Sequence, residues 1–182
     1  RQINGRSVQE EVETALLKAT RRPLKVTGAS RTDAGVHALG QRAHFDTDAA
    51  IPDGKWPFVL NTLLPPDVRA TGSLRVNPDL HARFSAIGKE YRYRILNRSQ
   101  PGALLRHFAA FVPLPLCENP MREALATLEG RHDFKAFQAA GGSAKTTVRT
   151  LYLAGLERQG EEWTLTVSGD AFLYNMVRII AG

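Results

Sequence analysis

The residues best suited to chemistry lie between positions 28 and 38, in the stretch Gly-Ala-Ser-Arg-Thr-Asp-Ala-Gly-Val-His-Ala. Arg31 and Asp33 are two positions apart, so in an extended backbone their side chains point to the same face. A carboxylate there can act as a nucleophile or a base, and a neighbouring guanidinium can keep it ionised or hold a phosphate. From the residues alone, the alternative is that Thr32 and Asp33 cap a turn, as Asp often does in glycine-containing loops.

Short alternating segments flank this loop on both sides. Residues 24–27 and 41–46 alternate in the manner of strands. Gly28 and Gly35 offer nothing to pack and allow sharp bends. We therefore expect a loop that is pinned at both ends by a small sheet, and we interpret His44 in the second segment as a strand residue and not as a ligand.

A second informative stretch, residues 89–95, alternates between two faces. One face carries Lys89, Tyr91, Tyr93 and Ile95, and the other carries Glu90, Arg92 and Arg94. A strand rich in Tyr and Arg can stack unpaired bases and contact phosphates, as in RNA recognition. The alternative is a half-buried strand whose Tyr rings fill the core, and the period alone slightly favours this alternative.

The last residues, 172–182, form an almost wholly apolar run with one charge, Arg178. An unpaired charge inside a protein is unfavourable by an amount on the order of several kcal/mol, so a buried Arg needs an anionic partner. Asp33 is the natural candidate for that partner. The alternative is an Arg that extends from a helix to solvent.

Composition limits the class of protein. The chain has 182 residues, 43% of them hydrophobic, and 24 Lys and Arg against 18 Asp and Glu give a net charge of +6. This length allows one large domain or two small ones with a substantial core, and the Arg-rich composition suits phosphate backbones without requiring them. The single cysteine, Cys117, excludes an internal disulfide and a Cys-rich zinc site, so we expect a reducing, cytoplasmic setting.

Neither a membrane span nor a secretion signal is visible. No apolar run approaches the roughly 20 residues that cross a bilayer, and Arg1 to Gly5 show no signal-peptide core. The sequence also lacks an initiator Met, so we expect it to begin inside a longer protein.

The remaining patterns predict scaffold elements and a domain boundary. The predicted elements are a helix over residues 7–20 that opens with the capping box Ser7-Val-Gln-Glu10, a helix over 55–64, a strand over 68–76, a helix after an N-cap at Asn119 with Pro120 at N1, and antiparallel strands over 148–156 and 162–168.

His132 and Asp133 could suggest an acid–base pair. Side chains of adjacent residues seldom face one another, so we interpret both residues as structural. A turn-rich break at 97–102 predicts two subdomains, 1–97 and 98–182.

Three blocks of this sequence together resemble the tRNA pseudouridine synthase A family. The blocks are the loop at 28–38, the segment His-Ala-Arg-Phe-Ser-Ala at 81–86 followed by Lys-x-Tyr-x-Tyr, and Phe-Leu-Tyr-Asn-Met-Val-Arg-x-Ile at 172–180. Their order and spacing are those of the family, and the resemblance spans nearly the whole chain. The family's opening strand with its Tyr-Asp-Gly and Gly-Trp-Gln elements is absent, and family members continue for several tens of residues beyond the third block.

The resemblance implies an α+β fold of two subdomains, whose antiparallel or mixed sheets are flanked by helices and meet at a central active-site cleft. It implies isomerisation of uridine to pseudouridine at positions 38, 39 and 40 of the tRNA anticodon stem-loop, by a homodimer that needs no cofactor or metal. The implied catalytic residues are Asp33, Tyr91 and Arg178, and the implied substrate-binding residues are Tyr91, Arg31, His37, Arg83 and Lys89.

Two other functions stay open beside this one. A non-catalytic RNA-binding module with the same basic cleft would do no chemistry, although the joint presence of Asp33, Tyr91 and Arg178 argues against it. A hydrolase that uses Asp33 on a nucleoside bond would need a positioned water and would release free uracil.

Overall fold

The computed structural model of the protein describes residues 5–182, and residues 1–4, which belong to the stretch inspected for a signal peptide, lie outside it. The chain divides into two units, Arg1–Ala86 and Ile87–Gly182. The sequence predicts the division after residue 97 instead. The two positions differ because the strand at 89–97 is hydrogen-bonded into the sheet of the second unit and therefore belongs with it.

The first unit begins with helix α1 (Val8–Thr20). The Oγ atom of Ser7 accepts a hydrogen bond from the backbone N of Glu10 at 3.3 Å, which satisfies one of the free amides at the helix start. Arg21, in the left-handed conformation with φ of 58°, ends the helix. The predicted helix and its Ser7 cap are both confirmed.

Helix α2 (Trp56–Asn61) completes the core of the first unit and is shorter than the predicted 55–64. The buried residues that form the core cluster of this unit are Ala15, Leu16, Val26, Trp56, Leu60 and Leu64. The strand predicted over 68–76 is wrong, since that part of the described chain forms no regular strand. Instead, the side chain of Asn61 donates to the carbonyl of Ala70 and accepts from its amide, both at 2.9 Å, and these bonds replace a strand ladder.

Two short strands, β1 (Thr27–Gly28) and β2 (Ala43–His44), form an antiparallel hairpin in the first unit. Thr27 pairs with His44, and Gly28 pairs with Ala43. The predicted small sheet at both ends of the loop is therefore confirmed, although the strands are shorter than their alternating segments. The interpretation of His44 as a strand residue is also confirmed.

The second unit is built on a five-stranded mixed sheet with the order β4-β3-β7-β6-β5. Its strands are β3 (Lys89–Asn97), β4 (Ala110–Val112), β5 (Gly130–Asp133), β6 (Val148–Gln159) and β7 (Glu162–Gly169). Strand β4 runs parallel to β3, and the other pairs are antiparallel. The predicted antiparallel pair near the C-terminus is confirmed as the β6–β7 hairpin.

Helices α3 (Glu118–Ala126) and α4 (Met176–Ala181) cover one face of this sheet. Alternate β7 residues, Trp163, Leu165 and Val167, are buried there together with Leu125 of α3, whereas the other face of β7 is half-buried. Half-buried α4 residues pack against the same cluster. The result is an α+β fold with two sheets and flanking helices, as the resemblance implied.

The start of α3 corrects one prediction. Cys117 is the N-cap and Glu118 the first helical residue, so Asn119 and Pro120 lie inside the first turn. Pro is compatible with this placement because the first turn's amides have no intrahelical partners.

No helix in the described part of the chain is long and apolar enough to cross a membrane.

The end of β7 supplies a test of the sheet packing. Gly169 lies beside an irregularity of β6 between Leu151 and Leu153, and a Cβ atom there would lie 2.7 Å from the carbonyl oxygen of Thr150. We predict that Gly169→Ala lowers the free energy of unfolding by about 1–3 kcal/mol, because the clash is with backbone that cannot move away cheaply. Urea denaturation measures this difference.

Gly155→Ala is the matched control within β6. The added Cβ would meet its nearest neighbour, the Cδ1 atom of Leu153, at an ordinary 3.8 Å. Its free energy of unfolding should stay within about 0.5 kcal/mol of the parent value. Equal losses in the two variants would contradict a specific clash at Gly169.

Candidate active site

The loop between β1 and β2, residues 29–42, is held at its base by bonds beyond the strands themselves. The amide of Ala29 donates to the carbonyl of Arg42 at 2.8 Å. The side-chain amide of Gln41 donates to the carbonyl of Ser30 at 2.7 Å. These bonds hold together the two ends of the loop that carries Arg31 and Asp33.

A tight turn presents Asp33 at the end of this loop. The amide of Val36 donates to the carbonyl of Asp33 at 3.1 Å, and Gly35 has φ of +79°. Because Ala34 does not have a positive φ, the positive φ at Gly35 makes this closed four-residue turn a type II turn, which favours Gly at its third position. Asp33 is therefore the first residue of the turn.

The side chains of Arg31, Asp33 and His37 are all exposed. A buried carboxylate, expected if Asp33 met Arg178 inside the protein, is thus not found. The loop holds its charged residues at the surface because nearly all of its residues are small or polar and give it no apolar face to bury. Such a carboxylate is accessible to a large substrate.

A second turn, residues 81–85, is attached to the same hairpin. The amide of Ala82 donates to Nδ1 of His44 in β2 at 3.1 Å. Within the turn, Nδ1 of His81 accepts from the amides of Arg83 and Phe84 at 3.2 and 3.3 Å. Arg83, a predicted substrate-binding residue, is exposed on this fixed turn.

In the second unit, Lys89 and Tyr91 lie half-buried on β3. Tyr91 pairs with Val167, and its ring meets the edge of Phe172 with a centroid separation of 4.9 Å. Tyr91 and Tyr93 both pack against the core cluster of this unit. Of the two interpretations of residues 89–95, the half-buried strand whose Tyr rings pack in the core therefore describes the packing of Tyr91 and Tyr93.

Arg178 lies on α4 and is exposed, so the prediction of a buried Arg is wrong. Residues 176 and 180 are four apart and share a helix face, whereas residue 178 is about 200° away from residue 176. Met176 is buried and Ile180 half-buried on the inner face, which leaves Arg178 on the outer one. Because Arg178 is exposed, its charge does not require an anionic partner inside the protein. Its pairing with Asp33 remains a prediction.

His132 and Asp133 make separate contacts on β5. The Nε2 atom of His132 lies 2.7 Å from the carbonyl oxygen of Glu129. Hydrogen bonds from the Thr147 side chain and from the backbone of Lys135 hold the pKa of Asp133 below its ordinary value. These contacts fit the structural interpretation and not an acid–base pair.

The predicted site residues are divided between the two units. Arg31, Asp33, His37 and Arg83 belong to the first unit, and Lys89, Tyr91 and Arg178 belong to the second. In the first unit one hairpin supports both the Asp33 loop and the 81–85 turn, and in the second unit α4 packs against β3. Among residues 5–182, no three His, Cys, Asp or Glu side chains are grouped so that they could hold a metal ion.

Sequence reasoning missed the roles of His44 and His81 as hydrogen-bond acceptors for backbone amides. The strand pattern predicts only that His44 lies on a strand, and the family resemblance places His81 in a conserved block without a role. The sequence feature that could have indicated these roles is the residue type, since a neutral imidazole nitrogen can accept a hydrogen bond from a backbone amide. Nothing in the spacing shows that position 44 meets position 82.

Comparison with known proteins identifies the class. A family profile described as tRNA pseudouridine synthase matches residues 124–182. The whole chain is 46% identical to the tRNA pseudouridine synthase A of Acetivibrio thermocellus and 42% identical to that of Bacillus pumilus, and it covers 75% and 74% of those proteins. The tRNA pseudouridine synthase A 2 of Clostridium perfringens is 44% identical over 98% of the chain and 73% of its own length.

The chain belongs to the tRNA pseudouridine synthase A family. This confirms the resemblance that the three sequence blocks carry. The roles of individual residues are a separate matter, and they are proposed below.

The type II turn at Asp33 can be tested through Gly35. A Cβ atom at Gly35 would meet nothing within 4 Å, so only its positive φ opposes a side chain. We predict that Gly35→Ala disfavours the turn by about 1–2 kcal/mol and lowers activity on tRNA accordingly, with Gly35→Asn less affected because Asn tolerates this conformation. Steady-state rates on tRNA transcripts measure the effect.

Gly40→Ala, in the same loop, is the control. Its Cβ would also meet nothing within 4 Å, and its φ lies outside the left-handed region. It should retain the parent rate. Similar loss in the Gly35 and Gly40 variants would show that the loop's flexibility, and not the turn at Asp33, is what activity requires.

Proposed function

We propose that the protein isomerises uridine to pseudouridine in tRNA, at positions 38, 39 and 40 of the anticodon stem-loop. The observation that carries the proposal is 42–46% identity along the whole chain to proteins named tRNA pseudouridine synthase A. The exposed Asp33 turn, held by a pinned hairpin, supports the chemistry. The target positions, a homodimer and a cytoplasmic location rest on the family resemblance.

The reaction exchanges one bond to the ribose for another. The bond from C1′ to N1 of uracil breaks, the base turns, and C5 becomes bonded to C1′. The proton on C5 then leaves to solvent, and N1 takes up a proton. Because nothing is oxidised or hydrolysed in net terms, the chemistry itself requires no cofactor and no metal.

Asp33 is the proposed essential residue. Its carboxylate can add to the ribose or remove the 2′ proton to release a glycal. Both routes require direct contact with the target nucleotide. An exposed position on a fixed turn allows that contact, provided that the nucleotide leaves its stack, at a cost of about a few kcal/mol.

The remaining predicted residues act on the nucleotide and its backbone. We propose that Arg31, which shares the loop with Asp33, holds the target nucleotide out of its stack, and that His37 in the same loop binds the substrate. Tyr91 stacks on the target base and is a candidate for proton transfer. Arg83 and Lys89 contact phosphates, where a positive charge is favourable irrespective of sequence.

From the family resemblance, Arg178 is proposed to hold and orient the carboxylate of Asp33 in the complex with substrate. A guanidinium binds a carboxylate through two parallel hydrogen bonds, which fix its orientation. In water this attraction is weak, and it grows as a bound RNA excludes solvent from the pair. The contribution is then greatest in the complex where chemistry takes place.

Tritium release from C5-labelled uridine tests the reaction, since the C5 proton is lost only when C5 becomes bonded. With tRNA transcripts we expect release by the parent chain and a loss of about 10⁴-fold or more in Asp33→Asn, whose amide is neither base nor nucleophile. Asp46→Asn replaces another exposed carboxylate of the same unit and should keep the parent rate.

The same experiment separates the alternatives. Binding of tRNA without any tritium release by the parent would contradict the synthase and favour a non-catalytic RNA-binding module. Free uracil among the products would instead favour a hydrolase. Undiminished release by Asp33→Asn would contradict the role of that residue while leaving the reaction in place.

Arg178 has its own test. Arg178→Ala should lower kcat by about 100-fold, the scale of a misplaced catalytic group, with little change in KM for tRNA. Arg178→Lys keeps the charge but not the forked geometry and should recover only part of the rate. Arg122→Ala on α3, which removes only a surface ion pair with Glu118, is the control. An unchanged kcat in Arg178→Ala would contradict the proposed contact.

A further inference from the structure

Phe84 is a strongly exposed aromatic residue on a hydrogen-bonded turn. Its accessible surface is 78% of the maximum. One side of its ring stacks on His81, with a centroid separation of 4.3 Å and an angle of 26° between the planes. His81 in turn meets the ring of His44 at 4.9 Å, edge to face. Three rings therefore form a column from strand β2 to the surface, and Phe84 is its outer end.

Hydrogen bonds hold this column in place. The imidazole Nδ1 of His81 accepts from the amides of Arg83 and Phe84. The backbone amide of His81 donates to Oγ of Ser85 at 3.0 Å, and the amide of Ser85 donates back to the carbonyl of His81 at 2.8 Å. A ring fixed before binding loses little conformational freedom when a ligand stacks on it.

The column is anchored to the hairpin that carries Asp33. His44 accepts from the amide of Ala82 and pairs with Thr27 in the two-stranded sheet. The loop from this sheet leads directly to the Asp33 turn. Phe84 and Asp33 thus extend from one support within the first unit.

The chemistry around Phe84 favours a nucleobase as its ligand. The Arg83 guanidinium carbon lies 5.9 Å from the ring centroid, so a cation adjoins the exposed aromatic surface. Aromatic rings beside arginines bind unpaired bases by stacking, with the cation available to a phosphate. Extrusion of a target nucleotide leaves bases without their stacking neighbours.

We propose that the 81–85 turn presents Phe84 as a stacking platform for an unstacked base of the RNA substrate, next to the Asp33 hairpin. This inference rests on the proposed function and adds a binding residue to it. The platform recognises the face of a base and not its edge, so it would tolerate different bases at the contacted position.

Three substitutions at Phe84 distinguish stacking from simple apolar contact. Phe84→Ala removes the ring, Phe84→Leu keeps apolar bulk without an aromatic face, and Phe84→Trp keeps an aromatic face. Binding of a fluorescently labelled anticodon stem-loop transcript is measured in an Asp33→Asn background, and KM is measured by tritium release with Asp33 intact. The Ala and Leu variants should bind about 5- to 150-fold more weakly, whereas the Trp variant should stay within about threefold.

Phe58 provides the matched control. It is a second exposed Phe of the first unit, at 69%, with the Lys55 ammonium 5.2 Å from its ring centroid, but it lies on α2 and not on the hairpin. Phe58→Leu should leave RNA binding and KM unchanged. Urea unfolding midpoints equal to the parent's would show that the substitutions at Phe84 do not act through folding.

The outcomes are separable. Parent-like binding by Phe84→Leu, or by Phe84→Ala, overturns the platform even if the parent releases tritium normally. Loss of binding in the Ala and Leu variants with retention in Phe84→Trp supports the platform, even if the parent releases no tritium and the synthase proposal fails. A parent that binds no RNA overturns both.

Discussion

The pairing of Thr27 with His44 is the constraint on which the candidate chemistry depends. This ladder contains two residues on each strand, and an isolated two-stranded hairpin is marginally stable in water. It persists because the residue before β1 is held by α1: Glu13 accepts from the amide of Val26 at 3.1 Å, and Gln9 donates to its carbonyl at 3.0 Å. The helix therefore positions the hairpin through polar bonds as well as through its apolar face.

The apolar contacts of Val26 add to this support. Its side chain is buried in a cluster with Leu16 of α1 and Trp56 of α2. Because the side chain of Val26 is packed and both of its backbone groups are hydrogen-bonded, this residue has little conformational freedom. The backbone is thus fixed immediately before it leaves the core, and this fixes the direction in which the exposed loop begins.

How far the sequence predicted the structure depended on how local each signal was. The cap of α1, the alternation of β3 and the β6–β7 hairpin are local patterns, and the structure confirms them. The pairing of Tyr91 with Val167 joins positions far apart in sequence, so the boundary after residue 97 separated a strand from its partners. The exposure of Arg178 fits the alternative interpretation, an Arg that extends from a helix to solvent. The apolar composition of the run favours burial, whereas the helical period decides which side chain faces out.

The candidate site was predicted in part for the same reason. Sequence blocks identified Asp33, Arg83 and Tyr91 as candidates, but the stack of His44, His81 and Phe84 depends on contacts between separate segments. A bond such as the one from Ala82 to His44 follows from strand register, which no local pattern specifies. A shift of that register by one residue would turn His44 to the opposite face of the hairpin. The Asp33 loop and the 81–85 turn would then lose their common support, so the register of four residues sets the geometry of both.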